Sequence, residues 1–213
     1  MKKSDGYLKW GLMVLIISLL GGAGISLSLE LKQESLKLPA IFKIGQTQPN
    51  CSAFVISDEY AVTARHCVIG HLFIFEFPLE EVNLFGTENE LLGLNFQVIQ
   101  PRSPQIDLAI IKGDFRNFKK LKYDSSTVNL DESDDFLTCG YPYATKELVC
   151  NKIFPYENFI HMYKAKGYFV YGFSGGPVIN ITQGTVVGVN SALNEDFLVF
   201  TPLIGIRGLF NLP

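Results

Sequence analysis

The chain has 213 residues, of which 47% are hydrophobic, 13% aromatic and 18% charged, so it has material for a sizeable core and is not intrinsically disordered. Its 18 basic and 21 acidic residues leave a formal charge of -3, with no basic run beyond doublets such as Lys119-Lys120, so no nucleic-acid partner is expected. No self-similar period marks a repeat array.

The first element in chain order is an apolar stretch over residues 10–29, uncharged until Glu30 and long enough to cross a bilayer as a helix. Lys2, Lys3 and Lys9 outnumber Asp5 on its N-terminal flank, a bias that keeps the N-terminus in the cytoplasm and sends everything after Glu30 outside. Two readings of residues 1–30 stay open. One is an uncleaved anchor with the bilayer as partner. The other is a signal peptide, whose apolar core over 12–20 precedes the small residues Gly21, Gly22, Ala23 and Gly24. The first makes a single-pass membrane protein with an extracytoplasmic domain, the second a secreted or periplasmic protein. A polar tether follows over 31–40, and residues 41–213 form the folded domain.

From Ile41 onward short runs rich in Val, Ile, Phe and Tyr are divided by Gly, Pro, Asn and Asp. They predict strands over 52–56, 60–63, 72–77, 108–111, 136–139, 159–164, 177–181, 185–189 and 197–201. No amphipathic helix of ten residues interrupts them, so the fold class is all-β, a sandwich or barrel. Pro101, Pro104, Pro142 and Pro155 fall between the runs, as prolines around strands should.

Four cysteines, Cys51, Cys67, Cys139 and Cys150, form an even set in an exported chain, so disulfides are expected, with three connectivities possible. No pair has the two-residue spacing of a zinc site, and neither metal nor cofactor is called for. Three local signals carry chemistry. Thr63-Ala64-Arg65-His66-Cys67 closes a strand. Ile106-Asp107-Leu108-Ala109 puts a carboxylate at the head of a fully apolar run, where it needs a partner. Gly172-Phe173-Ser174-Gly175-Gly176-Pro177 sets a serine among glycines. His71 and His161 have no such company and read as structural or surface residues.

In this order the three motifs resemble those of the trypsin-like (chymotrypsin-fold) serine proteases, over about residues 41–207. The resemblance implies two packed six-stranded β-barrels, preceded here by the N-terminal hydrophobic helix, and a peptide or protein substrate. It implies that Ser174 attacks a peptide carbonyl, that His66 takes its proton, and that Asp107 orients the imidazole. The backbone N–H groups of Gly172 and Ser174 are then the oxyanion hole. Cys51 and Cys67 resemble the family's disulfide bracketing the histidine. Cys139 and Cys150 match none of its long-range bridges and read as a local cross-strand pair. Only the first bridge is expected to matter to catalysis, since the second has no link to the site visible in sequence.

Where relatives carry the substrate pocket, this chain has Tyr168 at the base and Asn190, Ser191, Ala192 and Leu193 along the wall. Without a carboxylate at the base, a preference for Lys or Arg is disfavoured. Arg65 stands where alanine is commoner. Phe173 replaces the aspartate that in digestive enzymes pairs with a newly cut N-terminus, as in many bacterial and HtrA-type relatives, so activation by that salt bridge is excluded. The chain ends at Pro213, and no PDZ domain is expected after the protease domain. The sequence thus predicts a serine endopeptidase, with a catalytically inactive binding module of the same fold as the alternative.

Overall fold

The computed structural model describes residues 38–72, 75–101, 103–126, 134–143, 147–159, 162–167, 170–194 and 197–212, with the backbone alone described at 71, 72, 75, 159, 193 and 194. The apolar stretch over 10–29, Tyr168, His161 and the side chains of His71 and Leu193 therefore lie outside the description. Among the described residues no helix is long and apolar enough to cross a membrane.

Among the described residues, β-branched and aromatic runs cut by turn residues form fourteen strands. The first eight are β1 (Ile41–Gly45), β2 (Cys51–Val55), β3 (Tyr60–Thr63), β4 (Ile69–Leu72), β5 (Phe75–Pro78), β6 (Glu81–Phe85), β7 (Leu91–Ile99) and β8 (Ala109–Lys112). The rest are β9 (Phe136–Gly140), β10 (Val149–Phe159), β11 (Met162–Gly167), β12 (Pro177–Asn180), β13 (Thr185–Asn194) and β14 (Phe197–Pro202), followed by the short helix α1 (Ile206–Phe210). They close into two barrels, β1-β2-β3-β8-β7-β6 and β10-β11-β14-β13-β12-β9, with β4-β5 as a separate hairpin. This is the chymotrypsin-like all-β architecture, and closure leaves neither main sheet with an open edge.

Each barrel has its own aromatic filling. In the first, Phe42 meets Phe118 edge-on at 5.6 Å and Phe115 at 6.1 Å. In the second, Tyr163 stacks on Phe200 at 5.3 Å, with Phe136 and Phe173 in the same core. Every residue of β2 is buried, not just alternate ones. Its outer face is covered because Ser52 meets the loop of the second barrel that carries Ser174.

Several predicted boundaries shift. The run over 72–77 is the meeting of two strands, β4 and β5, paired antiparallel from Leu72 and Phe75 outward. The run over 159–164 spans the junction of β10 and β11, where Phe159 faces Met162. An apolar run through a tight hairpin reads as one strand because periodicity carries no mark of the reversal. Pro155 lies inside β10, not between strands, at a register shift between Pro155 and Glu157. A bulge tolerates the missing N–H. Part of the tether is already docked, since Leu38 N–H donates to Asn117 O and Leu38 O accepts from Lys119 N–H.

Candidate active site

β3 ends at Thr63 and the chain turns through a single 3-10 turn, Arg65–Val68, that presents His66 outward while Cys67 and Val68 stay buried. The Cys51–Cys67 disulfide ties this turn to the start of β2, with Cα atoms 5.9 Å apart. Asp107 sits just before β8, whose apolar residues Ala109, Ile110 and Ile111 anchor it to the barrel. Its two oxygens are both engaged by one residue. His66 N–H donates to Oδ1 at 2.9 Å and the His66 ring Nδ1 lies 2.8 Å from Oδ2. A carboxylate at Nδ1 favours the tautomer with its proton there, leaving the Nε2 lone pair outward. The His66 side chain is 46% exposed and that of Asp107 24%.

The Ser174 loop has a distinctive hydrogen-bond pattern. Phe173 N–H donates to Val170 O, Gly175 N–H to Asn190 O and Gly176 N–H to Phe173 O. The N–H groups of Gly172 and Ser174 make no such bond among the described residues. Gly172 has φ +102° and Gly175 φ +80°, a region that disfavours side chains. A Cβ at Gly172 would collide with the Tyr141 carbonyl oxygen, and one at Gly175 with Ser52 O and Thr63 Oγ1. The second collision shows how tightly the serine loop lies on the strand that ends at the histidine turn.

No hydrogen bond joins His66 to Ser174 in this structure, and Nε2 lies 3.7 Å from Cys67 Sγ. Catalytic hydrogen bonds are often long in ligand-free enzymes and tighten on binding. Cys51, His66 and Cys67 cluster closely enough to suggest a metal site. Both sulfurs belong to the disulfide and are not thiolate ligands.

A family described as trypsin-like peptidase domain matches residues 51–189, well over half of the chain. The chain belongs to this family. A comparison with curated protein sequences gives no significant match. Among solved structures, the active form of the Rv3671c protease from M. tuberculosis is 18% identical, with a TM-score of 0.60 over 82% of this chain and 81% of that one. A serine protease of human pathogenic astrovirus is 21% identical, with a TM-score of 0.58 over 78% of this chain and 91% of that one. An inactivated protease paralogue of the scabies mite is 16% identical, with a TM-score of 0.60 over 77% and 87%. At these identities the likeness establishes the fold, and it is shared by active and inactivated proteins alike.

In this trypsin-like domain the serine loop is held by two residues whose part in it the sequence does not reveal. Ser52, fully buried, uses every polar group it has: N–H donates to Ser174 O at 2.8 Å and Oγ to Gly172 O at 2.8 Å. Its Oγ also accepts from Tyr141 N–H at 3.0 Å, and its carbonyl oxygen accepts from Thr63 Oγ1 at 2.8 Å. Asn190, expected from the sequence in the pocket wall, has a buried side chain turned into the domain. Nδ2 donates to Cys139 O and Phe173 O, both at 3.2 Å, and Oδ1 accepts from Thr138 Oγ1 at 2.7 Å. Ser191 is also buried, its hydroxyl paired with Thr201 Oγ1 at 2.5 Å. Ala192 is exposed.

Phe173 is fully buried in the second barrel's core, packed against Gly140. Burial of an aromatic ring therefore anchors the loop at the position where digestive relatives use an ion pair. Cys139 and Cys150 are bonded, directly opposite each other on β9 and β10. This bridge is closer to the site than its sequence position implies, because the Cys139 carbonyl oxygen is one of the acceptors that fix Asn190.

Proposed function

We propose that this protein is a serine endopeptidase. The observation that carries the reading is the pattern in the 172–176 loop, where the N–H groups without a bond among the described residues are those of Gly172 and Ser174, the pair an oxyanion needs. Asp107, bonded to Nδ1, leaves Nε2 of His66 able to accept the Ser174 proton as Oγ bonds to the substrate carbonyl carbon. The carbonyl oxygen takes up the negative charge and is stabilised by the two N–H groups. Collapse breaks the C–N bond, and His66 returns the proton to the leaving amine. Water then attacks the acyl-enzyme, giving its proton to His66, and the ester bond breaks to restore the Ser174 hydroxyl and release the acid. Removing one oxyanion donor costs on the order of 3 kcal/mol of barrier in such sites.

The absence of a carboxylate at Tyr168, six residues before the serine, argues against cleavage after Lys or Arg. Burial of Phe173 supports a loop that reaches its working shape on folding, with no need of a freed N-terminus. The positive flank of residues 10–29 and the two disulfides support export, with the N-terminal segment as anchor or cleaved signal. A reporter fused after Pro213 should work only as an exported type, and a working cytoplasmic type would overturn the topology.

A fluorophosphonate probe, which labels only an activated serine, should modify the wild type and not Ser174→Ala. The second reading, an inactive binding module, draws on the missing hydrogen bond between His66 and Ser174 and predicts no labelling of either protein.

A further inference from the structure

The cluster of Cys51, His66 and Cys67 changes its chemistry when the Cys51–Cys67 disulfide is opened, because each sulfur then becomes a thiol that can ionise to a metal ligand. The three donor atoms lie within 4.8 Å of one another, and His66 Nε2 is 3.7 Å from Cys67 Sγ. Zinc takes thiolate at about 2.3 Å and imidazole at about 2.0 to 2.1 Å in a tetrahedron, which sets sulfur and nitrogen about 3.6 Å apart. That edge is already in place. The edge between the two sulfurs needs about 3.8 Å. With the Cα atoms 5.9 Å apart, side-chain rotation reaches it once the bond between the sulfurs is gone.

The surrounding backbone is held by hydrogen bonds as well as by the disulfide. Cys67 N–H donates to Ala64 O and His66 N–H to Asp107 Oδ1, while Cys51 pairs with Ile44 of β1 and the next residue, Ser52, donates to Ser174 O. The imidazole is also orientated for a metal. Asp107 Oδ2, 2.8 Å from Nδ1, favours the tautomer whose lone pair is on Nε2, the nitrogen beside Cys67. A carboxylate behind a histidine ligand is the common outer shell of zinc sites. Access is open from two directions: the His66 side chain is 46% exposed, and Cys51 lines a cavity of about 380 Å³ beside Gly172. Two thiolates and an imidazole suit zinc, a borderline-soft ion with no redox chemistry of its own.

We infer that in the reduced protein Cys51 Sγ, Cys67 Sγ and His66 Nε2 bind one zinc ion, with water in the fourth position, and that this ion switches the active site off. The effect on activity rests on the serine endopeptidase reading; the metal site does not. A dithiol supplies two electrons and is itself oxidised to a disulfide, while the Cys51–Cys67 bond breaks and each sulfur takes a proton. Zinc displaces both thiol protons to solvent as the two Zn–S bonds form, and it occupies the Nε2 lone pair that would accept the Ser174 proton. Reoxidation by an acceptor disulfide removes the two electrons, releases the zinc and returns the base. On the export reading, the chain is reduced until it leaves the cytoplasm, and the zinc form keeps it inactive there.

The test uses the full-length protein in detergent, reduced with a phosphine that does not compete for zinc. After excess metal is removed, the reduced wild type and reduced Cys139→Ser/Cys150→Ser should each retain one zinc per chain. The oxidised wild type and reduced Cys51→Ser/Cys67→Ser should retain none. Asp107→Asn should weaken zinc binding by about 10- to 100-fold and His66→Ala by more, which locates the ion even if Cys139→Ser/Cys150→Ser fails to fold. Cobalt(II) in place of zinc should show a thiolate charge-transfer band in the reduced wild type that disappears in Cys51→Ser/Cys67→Ser. Metal retained by that variant, or a reduced wild type that unfolds with zinc present, overturns the site. Fluorophosphonate labelling of the reduced wild type should stop on adding zinc and resume with a chelator, whereas labelling of Cys51→Ser/Cys67→Ser should respond to neither. One bound zinc with labelling unaffected overturns the switch alone. No labelling of the oxidised protein overturns the endopeptidase reading and the switch with it, and the metal content then decides the site independently.

Discussion

The two barrels hold their shares of the site by different means. The first offers His66 and Asp107 on a half-exposed turn, fixed by a disulfide and by a carboxylate that grips one residue at two points. The second holds the Ser174 loop from beneath, through a buried phenyl ring, a buried amide and backbone bonds. A base that must change protonation needs access to solvent, whereas oxyanion donors must stay at fixed positions without reorganising as charge develops. The difference teaches that damage to the first barrel's share should appear mainly as lost chemistry, and damage to the second's as lost chemistry and lost stability together.

The sharpest way to test that division is at the reacting groups. Ser174→Ala and His66→Ala should each lower peptide hydrolysis by at least about 10⁴-fold, and Asp107→Asn by a comparable factor, because each breaks one proton-transfer unit. Thermal unfolding of all three should stay close to wild type, and wild-type turnover in Ser174→Ala would falsify the nucleophile assignment.

Phe173→Ala should act differently. Emptying a fully buried aromatic site costs about 3 to 5 kcal/mol, read as a lower urea midpoint. Fluorophosphonate labelling should slow in the same variant under conditions where it remains folded. An unchanged labelling rate would show that the ring packs the core without positioning the loop.

Asn190→Ala leaves the Phe173 and Cys139 carbonyl oxygens and the Thr138 hydroxyl short of a buried partner, worth about 1 to 3 kcal/mol. Ser52→Ala should cost a similar amount, and both should lower kcat with little change in KM if they act by placing the Gly172 and Ser174 N–H groups. A rise in KM at constant kcat would assign them to substrate binding instead.

The smallest contrast is between the bridges. By chain entropy Cys51–Cys67 and Cys139–Cys150, with separations of 16 and 11, each contribute about 3 kcal/mol. Breaking the first as Cys51→Ser/Cys67→Ser should also loosen the base and reduce turnover by about 10- to 100-fold. Breaking the second should reduce turnover less, because β9 remains paired with β10 and β12, yet measurably, because the Cys139 carbonyl oxygen holds Asn190. No change in turnover in Cys139→Ser/Cys150→Ser would return that bridge to a purely structural role.

What was legible in the sequence was what is local. The histidine, aspartate and serine motifs each span a few adjacent residues, and both disulfides join cysteines on neighbouring segments. β6 and β7 escaped notice because they do not alternate cleanly: β7 exposes Leu91 and Leu94 and leaves most other positions half-buried. Ser52 and Asn190 were illegible as positioning residues for another reason. Ser52 bonds to Gly172 across 120 positions, and nothing around a serine on a buried strand announces that partner. Asn190 reads as pocket wall from its place in the chain, but a β-strand sends side chains to alternate faces, and a bulge between Asn190 and Ala192 makes the direction of each one unreadable from spacing.

Ser52 also lies where the two barrels meet. Each barrel closes its own ladder of hydrogen bonds, while the proposed nucleophile and its base ride on different barrels, across a seam that Ser52 spans together with the Tyr141 hydroxyl bond to Ile41 O and a shared apolar core. A slip of about 1 Å at that seam would leave the circular dichroism of both barrels almost untouched and still separate groups that react only in close register. Hydrolysis should therefore disappear at lower denaturant than the β-sheet signal, which would make turnover a gauge of how firmly the barrels are docked.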